Sequence, residues 1–376
     1  MCVLYLIKVF IVNQRLLPSY SLNIHMSIMS LLSHTQKHKI MQLYERMKLI
    51  DVHDLPIPKP LKEGENFAQK DLDKILEYCV SNSIEPSRVV IAEPTLNTFS
   101  NTPFLHVHYP IHLLTHHEIK EVSETPPTKH FNFLAGNYHY DRFMLLQGMF
   151  EKDLLKNTHW SAYRKINTDI HVKHHFTNEF MQYCESQTPR TMIQLDVHNS
   201  YPEDILESSS HTNGVHLNDG NNLDGIIFKD SAVAITVDTM ANTIYSEYEK
   251  DWHEVEKKLG ATMFYTAKII KPIKHKRPFI NLIGKGKGVD KYLTDMGFKT
   301  FNSMWNEDYY HADTPKERVD LAVELCYNLS KQSAEDIYND TKDICNYNYN
   351  VLTQTDWLEW YLNQIQQTFL IKQATI

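Results

Sequence analysis

Seven basic side chains crowd into residues 268–288: Lys268, Lys271, Lys274, Lys276, Arg277, Lys285 and Lys287, with no acid among them. In a chain of formal charge −8, so local an excess of positive charge points to an anion held at one place. Within the run, the apolar stretch 279–283 leads into Gly284-Lys285-Gly286-Lys287-Gly288 and then a helical pattern at 289–296 that stops at Gly297. A strand feeding a glycine-rich turn and a helix aims backbone N–H groups and a positive helix end at one spot, which suits a phosphate or diphosphate. Glycine permits the close backbone approach. The spacing matches neither GxxxxGK[ST] nor GxGxxG, so no nucleotide fingerprint is complete. A solvated lysine-rich loop between two core elements explains the same residues, and both readings stay open at this point.

Other residues offer chemistry of their own. Glu93 closes the β-branched run 88–92, and strand carboxyl ends open onto the cleft of α/β sheets, which makes it a candidate general base. The competing reading is a surface carboxylate beside Pro94. His106, His108, His112, His116 and His117 form one histidine cluster, and His171, His174 and His175 another, yet neither completes a metal-ligand pattern, so no metal site is expected. Asp71-Leu72-Asp73 has the form of a metal-binding DxD, but it falls at a helix start, where acids favour the macrodipole. The cysteines, Cys2, Cys79, Cys184, Cys326 and Cys345, are widely spaced and form no CxxC pair, which reads as reduced core thiols in a cytoplasmic setting.

The elements that must position these groups alternate. A helix is expected over 67–80, strands over 88–92 and 131–134, a helix over 142–155, and strands over 193–197, 232–237 and 279–283. The run 232–237 is apolar on both faces, as in a central parallel strand covered by helices. Helices follow at 315–330, 334–345 and 357–370. At 376 residues, 42% hydrophobic, the chain exceeds one ordinary core, so two domains are expected. The reading is an N-terminal extension over 1–46, one α/β domain over 47–190, a second over 191–331, and C-terminal helices over 332–376. The apolar start, residues 3–12, carries Lys8 and is far shorter than the ~20 residues of a membrane span. The acidic balance opposes a general affinity for nucleic acid.

The stretch Phe264-Tyr265-Thr266-Ala267-Lys268-Ile269-Ile270-Lys271-Pro272-Ile273, continuing through Arg277-Pro278-Phe279-Ile280, resembles the donor-binding segment of α1,3-fucosyltransferase-like glycosyltransferases of the GT-B class. The likeness runs on through Leu293-Thr294-Asp295-Met296-Gly297-Phe298-Lys299-Thr300-Phe301, Glu307-Asp308-Tyr309-Tyr310 and Arg318. An earlier block, 131–148, with Arg142 ahead of an apolar helix, is similar to the family's inter-domain segment. Viral and environmental relatives share these features, and the chain is expected in the cytoplasm, that of a host cell if it is viral. The resemblance implies an α/β fold of two Rossmann-like domains facing each other across a cleft. It implies transfer of a sugar from a nucleoside-diphosphate donor to a glycan or other hydroxyl acceptor, without a metal or further cofactor. Lys268 would meet the diphosphate, and Arg142 would reach the same anion from the other domain. Lys271, Asp238, Gly284, Lys285 and Gly286 would complete the donor site. Two positions depart from the family: Ala267 stands where the tripeptide glutamate would bond the ribose, and Asp238-Thr239 replaces Glu-Thr. Alanine accepts no hydrogen bond, so either the donor differs or the chain is a catalytically inactive protein that keeps the fold for binding or scaffolding.

Overall fold

The computed structural model describes residues 33–51, 69–93, 95–97, 103–108, 126–134, 140–162, 176–187, 195–196, 227–237, 248–252, 262–264, 267–282, 287–288 and 290–375, with Leu55 and Leu113. In chain order, the helices are α1 (His34–Met47), α2 (Gln69–Ser81), α3 (Tyr140–Glu151), α4 (Asn178–Gln187), α5 (Ala267–Lys274), α6 (Asp290–Asp295), α7 (Pro315–Leu329), α8 (Ala334–Gln354) and α9 (Trp357–Thr375). The strands are β1 (Ile50–Asp51), β2 (Val89–Glu93), β3 (Thr95–Asn97), β4 (Leu105–His108), β5 (Lys129–Leu134), β6 (Thr158–Ala162), β7 (Leu195–Asp196), β8 (Ser231–Val237), β9 (Thr262–Phe264) and β10 (Phe279–Leu282).

The helix starts follow local chemistry. Ser33 and Gln36 form a reciprocal capping box at α1, Thr314 accepts from the Glu317 N–H ahead of Pro315 at α7, and Ser333 accepts from the Asp336 N–H at α8. Gly297, at φ 90°, ends the turn after α6, and the Phe298 N–H returns to the Leu293 carbonyl at 3.0 Å.

Two compact units divide the chain. One comprises Met1–Ile91, Asn101–Leu105 and Gln366–Ile376, the other Ala92–Ser100 and His106–Ile365. The smaller holds β1 paired in parallel with the first residues of β2, and Leu105 at the start of β4, and buries Leu43 and Tyr44 of α1 and Leu72, Ile75 and Cys79 of α2. Within it, the C-terminal part of α9 is tied down: Gln373 Nε2 donates to Ser87 Oγ at 3.2 Å, and the Arg88 guanidinium lies 6.0 Å from the Phe369 ring centre.

The larger unit is built on a five-stranded sheet, order β10-β8-β5-β6-β7, parallel except for β7. Numbered by their sequence within this sheet, the strands run 3-2-1-4-5 from β7 to β10, the order of doubly wound nucleotide-binding sheets. All seven residues of β8 are buried, as expected of a strand covered on both faces. From β5 the chain steps one way across the sheet to β6, and from β8 it steps the other way to β10. Right-handed crossovers then put α3 and α5 on opposite faces. Accordingly α3 packs on α7, while α5 packs on α8. The expected division between residues 190 and 191 falls inside this sheet, because β5 and β6 precede it while β8 and β10 follow it. Hydrogen bonds between β5 and β8 join the two halves.

Candidate functional site

Between β5 and β8 the strand order reverses. Ligands of open α/β sheets bind outside the carboxyl ends of the strands at such a switch point. Two cations meet there. Arg142, in the first turn of α3 after β5, donates from Nη2 to the Val237 carbonyl at 3.1 Å, and Lys268, in the first turn of α5, donates from Nζ to the same oxygen at 3.3 Å. Val237 is the last residue of β8. Arg142 is 2% exposed and Lys268 half-buried. Their nitrogens stand no more than about 6 Å apart, where two like charges repel by roughly 3 kcal/mol at an effective dielectric of about 20.

Arg142 thus reaches the site from the same sheet as Lys268, in the larger unit, and not from a second domain. Lys271 lies half-buried one turn further along α5. Asp238, Gly284, Lys285 and Gly286 lie outside the described residues, as do the histidines from His112 to His117 and from His171 to His175.

The basic run does not make one field. Helix α5 carries the chain from the carboxyl edge of the sheet to its amino edge, and β10 brings it back. Lys268 and Lys287 therefore sit at one edge, and Lys274, Lys276 and Arg277 at the other, about 12 Å away by the rise of an eight-residue helix. Arg277 is 1% exposed; its Nε and Nη2 donate to the Phe228 and Lys229 carbonyls at 2.7 and 2.8 Å, and it lies 4.4 Å from the Tyr338 ring centre. It is a core brace. Lys276 faces the Tyr349 ring, and Lys287 pairs with Asp313. The count of seven basic residues took these three together with Lys268, because a count of charges carries no direction.

Beyond β10, Gly288 adopts φ 67°, a conformation that disfavours other residues, and its N–H donates to the Tyr310 carbonyl at 2.8 Å. The acidic-aromatic element is a turn anchored from inside. Burial pushes the Glu307 carboxyl up, against hydrogen bonds from Thr300, the Phe301 N–H and Tyr309. Glu307 therefore braces the turn that holds Gly288.

Glu93 ends β2, but it groups with the larger unit, together with β3. Strand β3 pairs antiparallel with β9: Thr95 opposite Phe264, Leu96 opposite Met263, Asn97 opposite Thr262. This ladder, which no sequence pattern announced, ties the Glu93 segment to the chain entering α5. His106 and His108 lie on β4, and exposed Asp73 lies within α2 beside buried Leu72, so Asp71-Leu72-Asp73 belongs to a helix. Among the described residues, no group of three or more His, Cys, Asp or Glu could hold a metal ion, and no helix is long and apolar enough to cross a membrane. Burial pushes the Cys345 thiol up to about 12, and raises Cys79 and Cys326 as well, which leaves these thiols inert. No family model, curated protein or solved structure matches the chain.

Proposed function

We propose that the chain is a metal-independent, fucosyltransferase-like glycosyltransferase that takes a sugar from a nucleoside-diphosphate donor and passes it to a hydroxyl of a glycan or other acceptor. The observation that carries this reading is the meeting of Arg142 and Lys268 on the Val237 carbonyl at the switch point of the larger sheet. Two cations at that place suit the diphosphate that leaves during transfer, since fixed charges stabilise developing negative charge without reorganisation. Lys271, Asp238, Gly284, Lys285 and Gly286 complete the donor site in this reading, and Glu93 takes the acceptor proton. The larger unit is the donor lobe, and the parallel strands of the smaller unit belong to the acceptor lobe of a GT-B pair.

Thermal melts against a panel of nucleoside diphosphates and their sugars test the reading. A true ligand at 100 times its Kd adds about 2.7 kcal/mol of apparent stability. Lys268→Ala should weaken that ligand by roughly 10- to 100-fold, the worth of a charged hydrogen bond, with the unliganded melting temperature nearly unchanged. An unaltered affinity would sink the assignment.

Ala267 favours a second reading, an inactive GT-B-like binding or scaffold protein, because the ribose acceptor of the resemblance is missing. Ala267→Glu separates the two. Turnover gained on restoring the carboxylate supports a decayed enzyme, whereas turnover already present in the parent chain excludes one.

A further inference from the structure

The ladder of β3 and β9 belongs to neither sheet. Isolated two-stranded ribbons are marginally stable, so three residue pairs add little to the fold. What they fix is register. In an antiparallel pair, the chain entering one strand and the chain leaving the other share one end of the ladder. Glu93 stands two residues before Thr95; Ala267 and Lys268 stand three and four residues after Phe264. The candidate base and the candidate donor cation therefore leave by the same end, on backbone tethers of about 7 and 14 Å at full extension.

We propose that the β3/β9 ladder is the positioning element of the transferase, setting Glu93 against the Lys268 end of α5. This rests on the donor reading above and names what holds acceptor activation in register with the leaving diphosphate. In an inverting transfer, proton removal from the acceptor and departure of the diphosphate occur at the two faces of one sugar, so a displaced carboxylate costs turnover and not donor affinity. A misplacement near 1 Å suffices for about 100-fold.

The test compares two one-residue insertions in the full chain. A glycine between Pro94 and Thr95 shifts Glu93 relative to the ladder; a glycine after Asn97 lengthens the chain at the opposite end. Nucleotide release from GDP-fucose and UDP-glucose reports turnover, and the melting shift with GDP and UDP reports affinity. The first insertion should lower release about 100-fold with affinity within about 3-fold of the parent, and the second should change neither. Equal effects from the two insertions, or loss of affinity in step with release, would show a merely structural ladder and overturn the proposal. A parent chain that binds nucleoside diphosphate but releases none from either sugar donor overturns this proposal and leaves donor binding standing, whereas one that binds no nucleoside diphosphate removes the donor reading too. Should the first insertion unfold the chain, Leu96→Cys with Met263→Cys serves instead, since directly opposite residues lie within disulfide reach. Oxidation should retain release, and its loss on oxidation refutes the ladder as the working arrangement.

Discussion

His275 and Arg277 show what the amino edge of the sheet asks of single residues. The His275 ring stacks on Phe228 with centroids 4.9 Å apart, and its pKa is pushed down to about 3, first by burial and then by Arg277, Lys229, Lys271 and Lys274. An unfolded chain takes up this proton near 6.5, the folded chain only near 3. The stability from the neutral ring is therefore complete above about 6.5 and lost progressively as pH falls toward 3. Asp230 adds to acid sensitivity at lower pH. Burial would raise its pKa, but hydrogen bonds from Thr128 and His159 outweigh that and lower it, so its contribution is lost as pH falls through the lowered value. His275→Phe keeps the stack and removes the proton. Unfolding free energies from urea titrations between about pH 7 and 5 should then fall less steeply than in the parent, by up to about 1.4 kcal/mol per pH unit. An identical slope in the two proteins would refute the role given to His275.

At the scale of elements, the close approach of α3 and α7 holds Arg142 in place. A Cβ built on Gly148 of α3 would lie 2.7 Å from Cγ2 of Val323, itself buried on α7. Gly148→Ala gains about 1 kcal/mol of helix propensity yet forces the two helices apart, so a net loss of about 1–2 kcal/mol is expected. Val323→Ala in the same chain relieves the clash. Chemical denaturation of both single variants and the double should give a coupling energy above about 0.5 kcal/mol, and strict additivity would contradict the packing argument. The ladder of β3 and β9 belongs to this scale as well, since its effect is on spacing and not on any side chain.

At the scale of the molecule, the C-terminal residues of α9 pack within the smaller unit. The last residues of α9 bring Phe369 and Gln373 to Arg88 and Ser87, beside the start of β2. Removing residues 366–376 should therefore loosen that unit selectively. Hydrogen exchange is expected to speed at the β1 and β2 amides while β5 and β8 keep their protection. Uniform loss of protection over both units would mean that the two do not open separately.

Much of the fold was legible in the chain because hydrophobic periodicity is a local property. The all-apolar run at 232–237, the strand at 279–283, the stop at Gly297 and the two helices after Thr314 and Ser333 each follow from residues within a few positions of one another. The choice of Lys268 and Arg142 as cations of interest came instead from the resemblance to the α1,3-fucosyltransferase-like donor segment. What the sequence could not supply was direction and pairing. The register of β5 against β8 put residues on both sides of position 190 into one sheet, and the path of α5 sent Arg277 into the core while Lys268 stayed at the carboxyl edge. The β3/β9 pairing joined residues about 170 apart. Periodicity and charge are written along the chain, whereas strand order and the edge to which a side chain is delivered arise only from contacts between segments that are distant in it.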